Sequence, residues 1–278
     1  MEIQQLRREY QHKIFQYILY VEKGIPSLAD KNSQISIDLA WGIIKLLDFT
    51  LRPISLMSEI KLTFEEITKD YIEQTFSSLK HFRPGNWIFS ELRNVKNIDE
   101  LQNLVDFVKI PDVGKDLRDT LGHYVVKPDV VVARIPVTDE EINQNDSLVE
   151  PQGLPRLTPL RRANHLNPKA ILHASISCKL TLRSDRSQNA RTEGLNLIRN
   201  RKGHTPHIAV VTAEPMPTRL ASLALGTGDI DCVYHFALYE LLTAAKAINN
   251  EAVVELIEIM IEGKRLRDIA DLPFDLAI

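Results

Sequence analysis

Residues 171–194 read Ile-Leu-His-Ala-Ser-Ile-Ser-Cys-Lys-Leu-Thr-Leu-Arg-Ser-Asp-Arg-Ser-Gln-Asn-Ala-Arg-Thr-Glu-Gly. The first half alternates with the period of a strand. Leu172, Ala174, Ile176, Cys178, Leu180 and Leu182 fall on one face, and His173, Ser175, Ser177, Lys179 and Thr181 on the other. A lysine in such a strand is costly to bury, so it is either used or solvated. After Arg183-Ser184-Asp185-Arg186 the pattern turns helical, and Glu193 shares the side of Ala190 and Leu197. An acid on the inward side of that helix can meet Lys179.

Charge sets this stretch apart from the rest of the chain. Lys179 to Lys202 holds seven Lys/Arg and two Asp/Glu, a local +5 in a chain whose formal net charge is -3, which leaves -8 elsewhere. A basic island in an acidic chain is the footprint of a nucleic-acid contact, although a solvated helix face has the same composition. An apolar fraction of 44% and a charged fraction of 26% allow a sizeable core in 278 residues. The two cysteines, Cys178 and Cys232, lack the spacing of a zinc site or a disulfide framework. The charged amino terminus does not read as a signal peptide, and no apolar run nears the roughly 18 residues of a membrane span. These features lead us to expect a cytoplasmic protein.

Working outward, helical spacing runs from Ile3 through Val21, and again from Ile37 to Leu51. Thr63-Phe64-Glu65-Glu66 reads as a capping box, which employs Glu66 and leaves Glu65 free. Trp87 to Leu92 suits a strand, Ile98 to Val108 a short helix, and 123–126 and 130–132 two β-rich runs around Lys127-Pro128-Asp129. Residues 143–169 hold four prolines and form the longest irregular segment, an excursion between two strands of one sheet. Ile208-Ala209-Val210-Val211 reads as a buried strand and Glu214 to Arg219 as a rigid loop. Asp231–Ile248 and Glu251–Glu262 read as helices. The order predicts an α/β fold with a mixed central β-sheet flanked by helices. Along the chain we expect amino-terminal helices in 1–85, a catalytic core over about 86–215 and carboxy-terminal helices in 216–278, within one domain of 1–278.

Asp129 at the head of a β-run, Lys179 in a strand and Glu193 on the next helix supply what metal-assisted phosphodiester hydrolysis needs. Carboxylates hold a divalent ion that polarises the phosphate, and a cation orients the nucleophile. Pro128-Asp129 with a strand lysine resembles the PD-(D/E)XK nucleases, except that Ser177 stands where the acid two residues before the lysine is expected. Further segments are Arg83-Pro84-Gly85 near Trp87, Asn189-Ala190-Arg191, Glu193-Gly194-Leu195-Asn196-Leu197 and Asn200-Arg201-Lys202-Gly203. Val211-Thr212-Ala213-Glu214-Pro215, Leu225-Gly226-Thr227-Gly228 and Ile230 to Glu240 continue the series. Together with Ser177-Cys178-Lys179 and Arg183-Ser184-Asp185-Arg186, they closely resemble the NgoMIV-type family of type II restriction endonucleases over almost the full length. In that branch the displaced acid lies on the helix after the strand, where Glu193 lies.

The resemblance implies a restriction-endonuclease-like fold and a Mg²⁺-dependent enzyme, with two ions per active site, that cuts double-stranded DNA. Asp129 matches the metal-binding aspartate, Lys179 the catalytic lysine, and Glu193 the displaced acid. Glu65 matches a further acid from an amino-terminal helix, although Glu59 and Glu66 lie near it. The backbone carbonyl of Cys178 is implied as a metal ligand. Arg183, Asp185 and Arg186 match the segment that reads a CCGG core, and Asp30 and Arg219 the readers of the outer pair. The implied target is GCCGGC, cut after the first G by a homotetramer, a dimer of dimers that engages two sites. The chemistry of the bases agrees: arginine pairs with guanine O6 and N7, and a carboxylate accepts from cytosine N4. Blander roles are also open: an N-cap for Asp185, a turn or cap for Asp30, core packing for the Cys178 thiol, a satisfied, partly buried ring for His173, and phosphate contacts or solvated charge for Arg191, Arg199, Arg201 and Lys202. The rival functions are a structure-specific repair nuclease and a DNA-binding protein without cleavage.

Overall fold

Strand β5, Ile171–Lys179, takes the period-two segment as expected and lies within a six-stranded sheet. The computed structural model describes residues 2–51, 62–91, 128–162, 168–201, 203–226 and 228–278. The expected helix at 98–108 and β-run at 123–126 lie outside them. The sheet order is β3-β4-β5-β6-β7-β8, formed by Trp87–Glu91, Val130–Arg134, β5, His207–Thr212, Cys232–His235 and Leu266–Asp268. Pairing is antiparallel from β3 to β5 and parallel from β5 to β8, so the sheet is mixed. β6 and β7 are buried almost throughout, as parallel strands covered on both faces require. The 143–169 excursion does connect two neighbouring strands, β4 and β5.

Register explains where the site forms. β4 runs against β5, and Val130 pairs with Ile176, so Asp129 at the start of β4 arrives beside the carboxyl end of β5. β6 runs with β5 and pairs Thr212 with Lys179, so its following loop opens at the same end. Ligands of open α/β sheets gather at such carboxyl ends, where the connections diverge.

Helices α1 (Ile3–Tyr17), α2 (Gln34–Leu47) and α3 (Phe64–Ser78) contribute to one continuous apolar core with the sheet. The capping box that opens α3 is present: Thr63 Oγ1 accepts from the Glu66 N–H at 3.2 Å, and Glu66 Oε2 accepts from the Thr63 N–H at 2.7 Å. The Tyr10 and Thr68 hydroxyls meet at 3.1 Å and fasten α3 to α1. Beyond the short α4 (Asp139–Ile142), α5 (Ser184–Asn200) bridges β5 and β6. α6 (Pro217–Ala224) links β6 to β7, and α7 (Leu238–Ala247) and α8 (Glu251–Glu262) link β7 to β8. The short α9, Leu272–Asp275, ends the chain's regular structure.

Several expected boundaries are corrected. Val21 belongs to a two-stranded hairpin, β1 (Val21–Glu22) and β2 (Ile25–Pro26), because Lys23 and Gly24 both take positive φ and turn the chain back. α2 stops before Leu51, since Asp48 is left-handed at its C-cap. Arg219 sits in α6, where Pro217 opens a helix rather than stiffening a loop. Asp231–Ile248 divides into β7 and α7, and with β8 the segment 216–278 holds two sheet strands besides its helices.

Candidate active site

Asp129, Lys179 and Glu193 converge at the carboxyl end of β5. The Lys179 ammonium donates to Asp129 Oδ2 at 2.7 Å and lies 3.7 Å from Glu193 Oε1. The Ser177 hydroxyl donates to Glu193 Oε2 at 2.8 Å and stands 3.4 Å from Asp129 Oδ2. The Cys178 N–H also donates to Asp129 Oδ2, at 2.7 Å. Ser177 therefore stands between the two carboxylates, with its single proton directed to Glu193, at the position where the nuclease pattern carries an acid. α5 delivers Glu193 because Gly194 beside it allows a close approach: a Cβ there would stand 2.7 Å from the Asp229 carbonyl oxygen.

Electrostatics agree with this geometry. Burial pushes the Glu193 carboxyl above its ordinary range, against the opposing pull of Lys179 and the Ser177 hydrogen bond. Burial alone would lower the Lys179 pKa, but the hydrogen bond to Asp129 and the charges of Glu193 and Asp129 outweigh it and raise the pKa. Lys179 is thus a charged counter-ion between two acids, not a neutral base.

Two carboxylates that reach one hydroxyl form a hard oxygen set of the kind Mg²⁺ uses, with waters and substrate phosphate completing its shell. The residues fit such an ion. Among the described residues, however, no three acidic, histidine or cysteine side chains group as a metal cage. Glu65 stands in the first turn of α3, free of the capping box, and its charge acts on the Cys178 thiol. That thiol is buried in the core, as expected, and burial raises its pKa first, with Asp129 and Glu65 adding to the shift.

The expected base readers fall on three segments: the amino end of α5, α6 and the loop before α2. Arg183, Asp185 and Arg186 are exposed at the amino end of α5. Arg183 is the N-cap and Asp185 lies in the first turn, which replaces the N-cap role considered for Asp185. Arg186 donates to Thr181 Oγ1 at 2.9 Å. Glu193 follows Arg186 by seven residues, about 10 Å along a helix, so Arg186 and Glu193 share one rigid rod. Asp30 and Arg219, 189 residues apart, form a direct ion pair. Asp30 also accepts the Asn32 N–H at 3.0 Å, and this turn bond, followed by the Arg219 charge, holds its carboxyl below the usual range despite the opposing effect of desolvation.

Glu214 was not expected to have a role. It is fully buried, accepts the Leu182 N–H at 2.7 Å and the Met216 N–H at 3.0 Å, and lies 3.6 Å from Arg219. Burial raises its pKa, while the two amides and Arg219 oppose the rise. Arg191 donates to the Ser222 carbonyl, which ties α5 to α6 instead of leaving Arg191 as a solvated charge. His173 is satisfied, as expected: its Nε2–H donates to the Leu276 carbonyl at 2.6 Å.

Comparison with known proteins supports the same assignment. The sequence model of the NgoMIV restriction enzyme matches residues 10–278. The type II restriction enzyme NgoMIV of Neisseria gonorrhoeae is 45% identical to this chain over 263 residues, 92% of this chain and 91% of that enzyme. The mixed sheet is the restriction-endonuclease-like fold, and the chain belongs to the NgoMIV restriction enzyme family, whose members are site-specific DNA endonucleases.

Proposed function

We propose that this enzyme recognises GCCGGC in double-stranded DNA and cuts after the first G, leaving 5′ overhangs with 5′-phosphates. The observation that carries the reading is the Asp129–Lys179–Glu193 convergence at the carboxyl end of β5, with Glu193 midway along a helix whose amino end exposes Arg183, Asp185 and Arg186. Two arginines and a carboxylate suit runs of G and C, each bidentate contact being worth about 1–3 kcal/mol of discrimination. The Asp30–Arg219 pair supplies the same chemistry, an acceptor and a fork, for an outer G:C pair.

Asp129 and Glu193 would hold Mg²⁺, with the Cys178 carbonyl beside them, and two ions per site is our preferred count. The ion supplies positive charge to the scissile phosphate and lowers the pKa of water. Lys179 then exchanges its carboxylate partner for the attacking water and orients it in line with the phosphorus. Ser177 keeps the Glu193 carboxylate aimed at the same point. Glu65, from α3, is proposed as a further acid of this site. We also propose that the chain acts as a single-domain unit in the cytoplasm and assembles as a homotetramer, a dimer of dimers that engages two target sites.

The test is digestion of a plasmid of known sequence with Mg²⁺, followed by sequencing of the ends. Cuts confined to G/CCGGC are expected, where the slash marks the broken bond. A different recurring palindrome at the ends would refute the target.

A further inference from the structure

We infer that Glu214 is a positioning residue for sequence reading, which holds the Arg183–Arg186 segment and Arg219 in one register. The inference rests on the proposed DNA-reading roles of those residues and goes beyond them. One Glu214 oxygen accepts the Leu182 N–H at 2.7 Å, immediately before the segment that exposes Arg183, Asp185 and Arg186. The other accepts the Met216 N–H at 3.0 Å, at the N-cap of the helix that carries Arg219. Arg219 itself approaches the first oxygen at 3.6 Å while its second nitrogen pairs with Asp30.

A single rigid carboxylate therefore spaces two loops that come from different strands, β5 and β6. Packing alone does not account for it. Glu214 is 0% exposed, and an apolar residue would fill the same space without the cost of desolvating a charge. Its donors are the two amides, and its charged neighbour is the Arg219 guanidinium; these lead to the proposed readers of the CCGG core and of the outer pair. Loss of the carboxylate should loosen both readings together and leave general attraction to the DNA backbone intact, since phosphate contacts carry no sequence information.

The experiment measures equilibrium binding, with Ca²⁺ in place of Mg²⁺ to prevent cleavage, to three duplexes. One carries GCCGGC, one has the outer pair exchanged and one has an altered core. For Glu214→Gln, folded by circular dichroism, the ratio of cognate to altered affinity should fall about tenfold or more for both altered duplexes. Affinity for the altered duplexes themselves should stay within about twofold, because the phosphate contacts are untouched. Unchanged ratios, or a loss confined to one of the two duplexes, would overturn the inference while leaving the proposed target standing. If the unsubstituted enzyme itself fails to discriminate, the proposed target falls and this inference with it. Should the Gln variant not fold, Glu214→Asp is measured in the same way. It keeps the charge but is too short to span both amides, so full discrimination by it would count against the inference.

Discussion

At Lys179 the decisive quantity is the balance of charge around one ammonium. Asp129 at 2.7 Å and Glu193 at 3.7 Å keep it protonated although the side chain is largely buried. Lys179→Ala leaves the two carboxylates facing each other without a counter-ion. We expect cleavage to fall at least about a thousandfold, on the scale of losing one preorganised charge at a reacting centre. Cognate binding should survive, because the proposed base readers lie outside β5, on α5, on α6 and in the loop before α2. Single-turnover cleavage beside a binding titration checks this, and cutting by a clean variant preparation would refute the role. His173 offers a second test at this scale, on stability. Burial lowers its pKa to about 4, from an ordinary value of 6.5. Between those values the unfolded chain binds the proton and the folded chain does not. The neutral ring's contribution is therefore complete above pH 6.5, and it is lost as pH falls towards 4. His173→Gln, which can still donate to the Leu276 carbonyl, should flatten the acid slope of unfolding free energy by about 1.4 kcal/mol per pH unit in that window. Urea titrations at pH 4.5, 5.5 and 7 would show it, and parallel curves for the two proteins would exclude it.

At the scale of elements, α5 is the piece whose placement matters most, and Gly194 governs it. Helix propensity alone favours Gly194→Ala by about 0.8–1 kcal/mol. The Asp229 carbonyl 2.7 Å from the added methyl reverses that sign, because backbone on both sides must move. We expect a net loss of about 1–3 kcal/mol, the range of overpacking. Cleavage should drop as well, since Glu193 rides on the same turn. A stable and fully active variant would show that the contact yields easily. The same helix shows what was legible beforehand. Period-two alternation, the helical phase of Glu193 and the Thr63–Glu66 box are local signals, and each appears in the structure where its residues pointed. β7 was absorbed into a helix because Cys232-Val233-Tyr234-His235 is buried on both faces and does not alternate. β8 has three residues, Leu-Arg-Asp, and is too short, with an acid on its buried side, for an apolar alternation to show. Glu214 and the Asp30–Arg219 pair depend on partners 32 and 189 residues away, so no local signal separates them from ordinary surface charges. For Asp30 and Arg219, only the family resemblance pointed to a shared role.

Across the whole molecule, the two ends of the chain are joined by one arginine. Arg7 in α1 grips both oxygens of Asp268 in β8, each at 2.7 Å, and both of Glu240 in α7, at 2.9 and 2.6 Å. Asp268 is 0% exposed, and it further accepts the Leu238 and Ala270 N–H groups, each at 3.0 Å. The amino-terminal helix is thereby fixed to the last strand of the sheet. Through the Tyr10–Thr68 contact the same helix also fixes α3, which carries Glu65. Arg7→Met keeps most of the side chain's volume and removes its charge, leaving two carboxylates close together, one of them wholly buried. Breaking a buried pair in this way costs about 3–5 kcal/mol, and the two amides that remain on Asp268 argue for the lower end. Asp268→Asn alone should also destabilise. Combined with Arg7→Met it should cost less than the sum of the two, because the stranded charge is gone. Chemical denaturation of the two single variants and the double variant measures that coupling. Strictly additive losses would mean that the two groups act independently and that this ion pair does not tie α1 to the sheet.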